Sequence, residues 1–241
     1  MRNLLYFSLV GVLALIPVAA SAQAGSFEVS LLGHPVGTAS FNFIPTRGGF
    51  NSTSLVRVSM KGLEYALSKT EQLSADNELR HVQLSATVNG TAVNLTAAPD
   101  SAQLLLNVSA GGRSSTVRLD AHPGAVFLTD FDPGALETLL ALGVSRNNRD
   151  LWAILPKQAG TQPGSVAQIE LATYADEQGT LDGKPITAHH LVATIAGAKT
   201  DLFSGPENQL LQAELPQQGF ALVRKGFVLI PPAKPQAPPA S

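Results

Sequence analysis

Few residues in this chain have the type and spacing for chemistry, and the histidines come first. Only His189 and His190 are adjacent among the five histidines. Imidazole nitrogens bind metals and move protons near neutral pH. In a regular strand, however, neighbouring side chains point to opposite faces, so both rings reach one ion only across a bulge. His189 would share a face with Leu191 and Ile195, and His190 with Val192. One exposed histidine and one hydrogen-bonded in the core is the preferred reading. His122, Asp130 and Asp132 form a second set, of types suited to an oxygen/nitrogen metal site. Asp132 stands directly before Pro133, which makes helix capping its better role. His122, Asp130 and His190 remain as weak metal candidates that need tertiary proximity. Glu170 with Asp176, or Glu207 with Glu214, have the chemistry of an acid/base pair, but exposed strand and turn carboxylates are the default. No catalytic residue is assigned, and neither a metal nor another cofactor is expected.

Motifs and composition narrow the field further. There is no G-x-S-x-G elbow, H-E-x-x-H, P-loop or dinucleotide fingerprint. With no cysteine, thiol nucleophiles, thiolate ligands and disulfides are absent. A net charge of -2 without a basic run excludes a nucleic-acid footprint. Ten Phe, three Tyr and one Trp are few rings for a lectin. In a bacterial export context the sequons at Asn51, Asn89, Asn94 and Asn107 would be chance matches in a Ser/Thr/Asn-rich β chain, and they would matter only in a eukaryotic one. Arg224-Lys225 lies between the apolar runs FALV and GFVLI. An anion-contacting rim is one reading; an edge-strand gatekeeper against aggregation is preferred.

The elements that must position these residues are mostly strands. Residues 1–22 read as a secretory signal peptide: Arg2, then the apolar run Leu4 to Ile16, Pro17, and Ala20-Ser21-Ala22 as the cleavage site. Export to the periplasm or beyond is the expected localisation. Residues 23–230 form one β-rich domain, and 231–241 a disordered proline-rich tail. From Phe27 to Leu119, eight short runs alternate apolar and polar, separated by turns such as Asn89-Gly90. In DFDPGALETLLALG, Asp132 caps a short helix and Gly143 ends it. Strand candidates follow at 151–155, 166–174, 186–196, 209–215, 219–224 and 226–230, with a Gly/Pro-rich loop from Gly160 to Gly164. The expected fold is all-β: an antiparallel meander forming a strongly curved sheet or open barrel, with one short helix packed against it. An outer-membrane barrel is rejected, because aromatic girdles and a terminal strand are missing.

The order of features resembles a family of uncharacterised bacterial exported β-domains. The resemblance rests on the turn Gly33-His34-Pro35-Val36-Gly37 leading into Thr38 to Phe43, the helix and strand from Asp132 to Pro156, and the strand Leu210 to Leu215. It covers roughly Phe27 to Ile230. It implies a curved sheet similar to the half-barrel of periplasmic lipoprotein carriers, and it carries over no catalytic residue.

The leading expectation is an exported, non-catalytic protein that binds an apolar or amphipathic ligand within the curved sheet. Leu211, Ala213, Leu215, Phe220, Leu222 and Arg224 are the candidate ligand-binding residues. The rival reading is a structural or interaction module of the cell envelope with a filled core; a metal-dependent hydrolase comes third. The expected partners are a lipid or other apolar ligand, or an envelope protein. Nucleic acid is not among them, and the chain is not expected to be integral to a membrane.

Overall fold

The computed structural model describes residues 23–156 and 164–231. The expected signal peptide, the proline-rich tail beyond Pro231 and most of the Gly160–Gly164 loop lie outside them. The described residues form seventeen strands and one helix.

Eight strands follow one another as antiparallel neighbours: β1 (Gln23–Leu31), β2 (His34–Thr46), β3 (Gly49–Met60), β4 (Leu63–Ser74), β5 (Leu79–Val88), β6 (Thr91–Asp100), β7 (Gln103–Ala110) and β8 (Arg113–Asp120). Their alternation sends one face inward and the other to solvent. In β4, for example, Tyr65 and Leu67 are buried while Glu64, Ala66 and Ser68 are exposed. At the β5–β6 hairpin Asn89 and Gly90 both take positive φ, 48° and 81°, as a tight two-residue connection requires.

The chain then makes a unit the alternation did not announce. Strands β9 (Ala125–Phe127) and β10 (Leu151–Pro156) pair in parallel, and the helix α1 (Pro133–Ser145) is the crossover between them. Strands β11 (Gly164–Thr173), β12 (Glu177–Leu181), β13 (Lys184–Ile195), β14 (Ala198–Ser204), β15 (Leu210–Leu215), β16 (Phe220–Arg224) and β17 (Phe227–Leu229) complete the fold. Strand β16 returns to β1, with Phe27 opposite Arg224. The order from edge to edge is thus β8 back to β1, then β16, β15, β14, β13, β11, β10 and β9, with β12 bridging β13 and β17. The sheet curls until β8 approaches β11 and β9 lies near β5, without closing.

Helix α1 is core, not cover. Ten of its thirteen residues are buried, so it is enclosed on nearly every side, as an apolar helix must be. It runs past Gly143, which sequence pattern made its stop. Gly143 is buried there, and its lack of a side chain admits the close approach of Asn148 and Leu171, which an added methyl would meet at 2.9 and 3.0 Å. The positive φ values of Asn147 and Asn148, 51° and 57°, end the helix instead. The main core gathers the inner faces of β1–β7 around α1, β9 and β10. A second, small cluster of Ala188, Phe203, Leu211 and Phe227 lies apart from it, packed with Leu181, Ile186, Val223 and Leu229. Among the described residues no helix is long and apolar enough to cross a membrane.

Candidate functional site

The residues first suspected of metal chemistry are dispersed. The adjacent histidines diverge as strand geometry requires. His189 Nδ1 lies 3.0 Å from Asp176 Oδ1 at the surface. His190 Nε2 lies 2.9 Å from Asp201 Oδ1, and its ring stacks on Phe203 at 4.6 Å. His122 stacks on Trp152 at 3.7 Å. Asp130 is exposed, while Asp132 is buried as the cap of α1. Among the described residues no three His, Asp or Glu side chains converge as a metal-binding group. Of the carboxylates considered as acid/base pairs, Asp176 is engaged by His189 and Glu214 accepts from Gln212.

The six candidate ligand residues do not line one surface. Leu211, Ala213 and Leu222 are at most 1% exposed. Strict alternation puts Leu211, Ala213 and Leu215 together, but the β14–β15 register slips between Phe203 and Ser204. Phe203 faces Gln212 and Ser204 faces Leu210, leaving Leu211 as the extra residue of a bulge. Ala213 and Leu222 belong to the main core with Leu215 and Phe220 packed against it, whereas Leu211 joins the small cluster.

Arg224 is neither rim nor gatekeeper. Its Nη1 donates to Leu210 O at 3.0 Å and its Nη2 to Ala24 O at 2.6 Å. The guanidinium also sits 5.7 Å from the centre of the Phe27 ring and 3.6 Å from Glu137 Oε1. Glu137, on the second turn of α1, accepts from Leu210 N at 2.9 Å and Gln23 Nε2 at 3.2 Å. Burial pushes its carboxyl up to about 7, against the pull of these donors and Arg224. Together these contacts fasten the helix to β1, β15 and β16.

A second charged cluster lies deeper. Lys69 and Glu71 occupy inward positions of β4, where the run Tyr65, Leu67 would continue. Lys69 Nζ contacts Glu71 Oε1 at 2.9 Å, bonds directly to Asp132 Oδ2, and donates to Phe127 O at 3.3 Å. Asp132 Oδ1 accepts from Gly134 N and Ala135 N at 3.0 and 3.2 Å, and Oδ2 accepts from Thr129 Oγ1 at 3.0 Å. Burial alone would lower Lys69, but the two carboxylates outweigh it and hold the ammonium above its ordinary value. Burial raises Glu71, which Lys69 offsets only in part. Opposite them on β3, Ser54 faces Lys69 and Ser52 faces Glu71, both hydroxyls buried without a hydrogen-bond partner among the described residues. A serine beside a lysine is nucleophile chemistry in outline. Here Lys69 is committed to two carboxylates, and Lys69, Ser52 and Ser54 are 0% exposed, so no substrate reaches them. The cluster ties α1 to β4.

The open surfaces lie on the other face. A groove of about 620 Å³ crosses β1 to β6 among short polar side chains, with Leu55 and the cations Arg57 and Lys225 in its lining. A neighbouring groove of about 460 Å³ lies between Val36, Val58 and Tyr65, with Arg57 and Glu64 at its side. A third, of about 280 Å³, runs over β5 to β8 among Ser, Thr and Asn. Comparison of the chain with protein-family models, with curated proteins and with solved structures finds no match.

Proposed function

We propose that this chain is an exported, non-catalytic module of the cell envelope that works through its outer surface, not by carrying a ligand inside the sheet. The packed interior carries this reading. Phe27, Leu84 and Leu106 from the first half of the sheet, Leu139 and Leu142 from the helix, and Phe127, Leu210, Ala213 and Leu222 from the second half are all at most 1% exposed. A carrier needs room beside such side chains for an acyl chain. Here the space is filled by α1, and the helix is anchored by Lys69–Asp132 and Glu137–Arg224 ion pairs. Among the described residues no group of His, Asp and Glu side chains converges to support the hydrolase reading. Export rests on the sequence of Met1 to Ala22.

Native mass spectrometry of the protein purified from its own host tests the filled interior. The mass of the processed chain alone is expected. A lipid retained at one per chain would restore the carrier reading. N-terminal sequencing of the same sample should begin at Gln23, and an intact Met1 would remove the export reading.

A further inference from the structure

The outer face of the first six strands is unusually uniform across the sheet. Strand register places Ser26, Ser40, Leu55, Ser68, Ser85 and Asn94 side by side in one row from β1 to β6. Lys225, whose N–H donates to Ser26 O at 2.8 Å, extends the row at the β16 end. A second row runs Glu28, Thr38, Arg57, Ala66, Thr87 and Ala92 from β1 to β6. Neighbouring strands are about 4.8 Å apart, so the groove along these rows is roughly 24 Å long.

We infer that this groove is a binding site for an acidic oligosaccharide. Its lining offers hydroxyls and the Asn94 amide, and its only charged groups are Arg57 and Lys225. Both cations are exposed, and neither makes an ion pair among the described residues. Glu28 and Glu64 lie on the same face outside this lining, and Glu64 is already held by Ser59 Oγ at 2.6 Å. Charge complementarity therefore favours an anion. Leu55, 55% exposed, is the one large apolar side chain of the lining that reaches solvent, since Phe27, Val56 and Leu67 are buried beneath it. It offers a contact for the C–H face of a sugar ring but no bed for an acyl chain. Strands β2 to β5 are hydrogen-bonded on both sides, so a peptide cannot add here as a further strand. Lys225 and Arg57 stand about three strand spacings apart, roughly 14 Å, so one acidic sugar does not span them and an oligomer does. Small hydroxyl side chains leave the space that the ligand fills.

The inference rests on the outer face being the working surface, but the two fail separately: lipid retained in the interior overturns that reading, and absent glycan binding overturns only this one. Calorimetric titration of the full processed protein with hexamers of galacturonate and mannuronate, and with neutral maltohexaose, is the test. At least one acidic hexamer should bind with a dissociation constant below about 1 mM, and weaken as salt is raised. The Arg57→Gln/Lys225→Gln double variant, with an unchanged circular dichroism spectrum, should bind it at least about tenfold more weakly. Leu55→Glu should also weaken it. The inference is overturned if neither acidic hexamer binds, if maltohexaose binds as tightly, or if the double variant keeps the parent affinity. Binding to phosphatidylglycerol vesicles without binding to either hexamer overturns it equally.

Discussion

The first half of the sheet, β1–β8, and the second, β9–β17 with α1, solve burial differently. In the first half β1 to β7 each have a wet face and a dry face, so polar and apolar residues alternate. In the second half, β9 and β15 are covered on both sides. Strand β15 buries Leu210, Leu211, Gln212 and Ala213 in succession, because the main core lies on one side and the small cluster on the other. Regular one-sided strands leave a surface free for recognition. Doubly covered strands give up that surface and hold the helix in place.

The contrast is sharpened most by breaking the charge cluster beneath α1. Lys69→Met leaves Glu71 and Asp132 buried without their cation, and should cost roughly 4 kcal/mol; urea denaturation that shows less than about 1 kcal/mol would mean water already reaches the cluster. The pH dependence comes next. Glu137 has a folded pKa of about 7 against an ordinary 4.5. The folded state therefore binds more protons than the unfolded state between those values, and stability must fall as pH rises from about 4.5 through about 7, by about 3 kcal/mol. Burial of Glu71 acts in the same direction. Glu137→Gln, which keeps an acceptor for Leu210 N, should flatten much of that slope in thermal melts taken across the range; an unaltered slope rejects the assignment. Leu211→Ala in the small cluster should lower stability by roughly 2.5 kcal/mol, near the low end for a buried leucine because the partly buried residues around the cluster can settle into the space left. If Leu211 faced a ligand cavity instead, its removal would cost far less. The smallest effect belongs to the wet face, where Leu55→Thr should change the unfolding free energy by less than about 0.5 kcal/mol.

How much of this was legible in the sequence follows from the same division. Alternation from Phe27 to Leu119 located all eight strands of the meander, and Asp132-Pro133 located the start of the helix. The parallel β9–β10 pair was not foreseen, since three residues, Ala125–Phe127, all buried, carry no period. Strands β12 and β14 were missed, and Gly143 was misread as a stop because its tight packing leaves the same trace as a cap. Leu211 was placed on the wrong face by a bulge that no residue type announces. The charged cluster did leave a signal: continuing the inward positions of β4 from Tyr65 and Leu67 reaches Lys69 and Glu71, and continuing β3 back from Val56 reaches Ser54 and Ser52. Polar residues at consecutive inward positions of adjacent strands point to a buried partner, here Asp132. The dispersal of His122, Asp130 and His190 depended on tertiary distances, which spacing along the chain does not contain.

The pairing of β1 with β16 has a consequence in time. Strands β1 to β8 are joined by short turns and can pair in the order in which they are made. Strand β1, however, gains its other neighbour only when the far end of the chain arrives, with Phe27 meeting Arg224. Until then the meander holds much of its apolar face open, and α1 lacks the contacts of Glu137 with Leu210 and Arg224 that fasten it. Such an intermediate is exposed to aggregation, so folding should be slow and concentration-sensitive until β16 docks. A chain shortened before Leu210 would keep the hairpins and lose the means to finish.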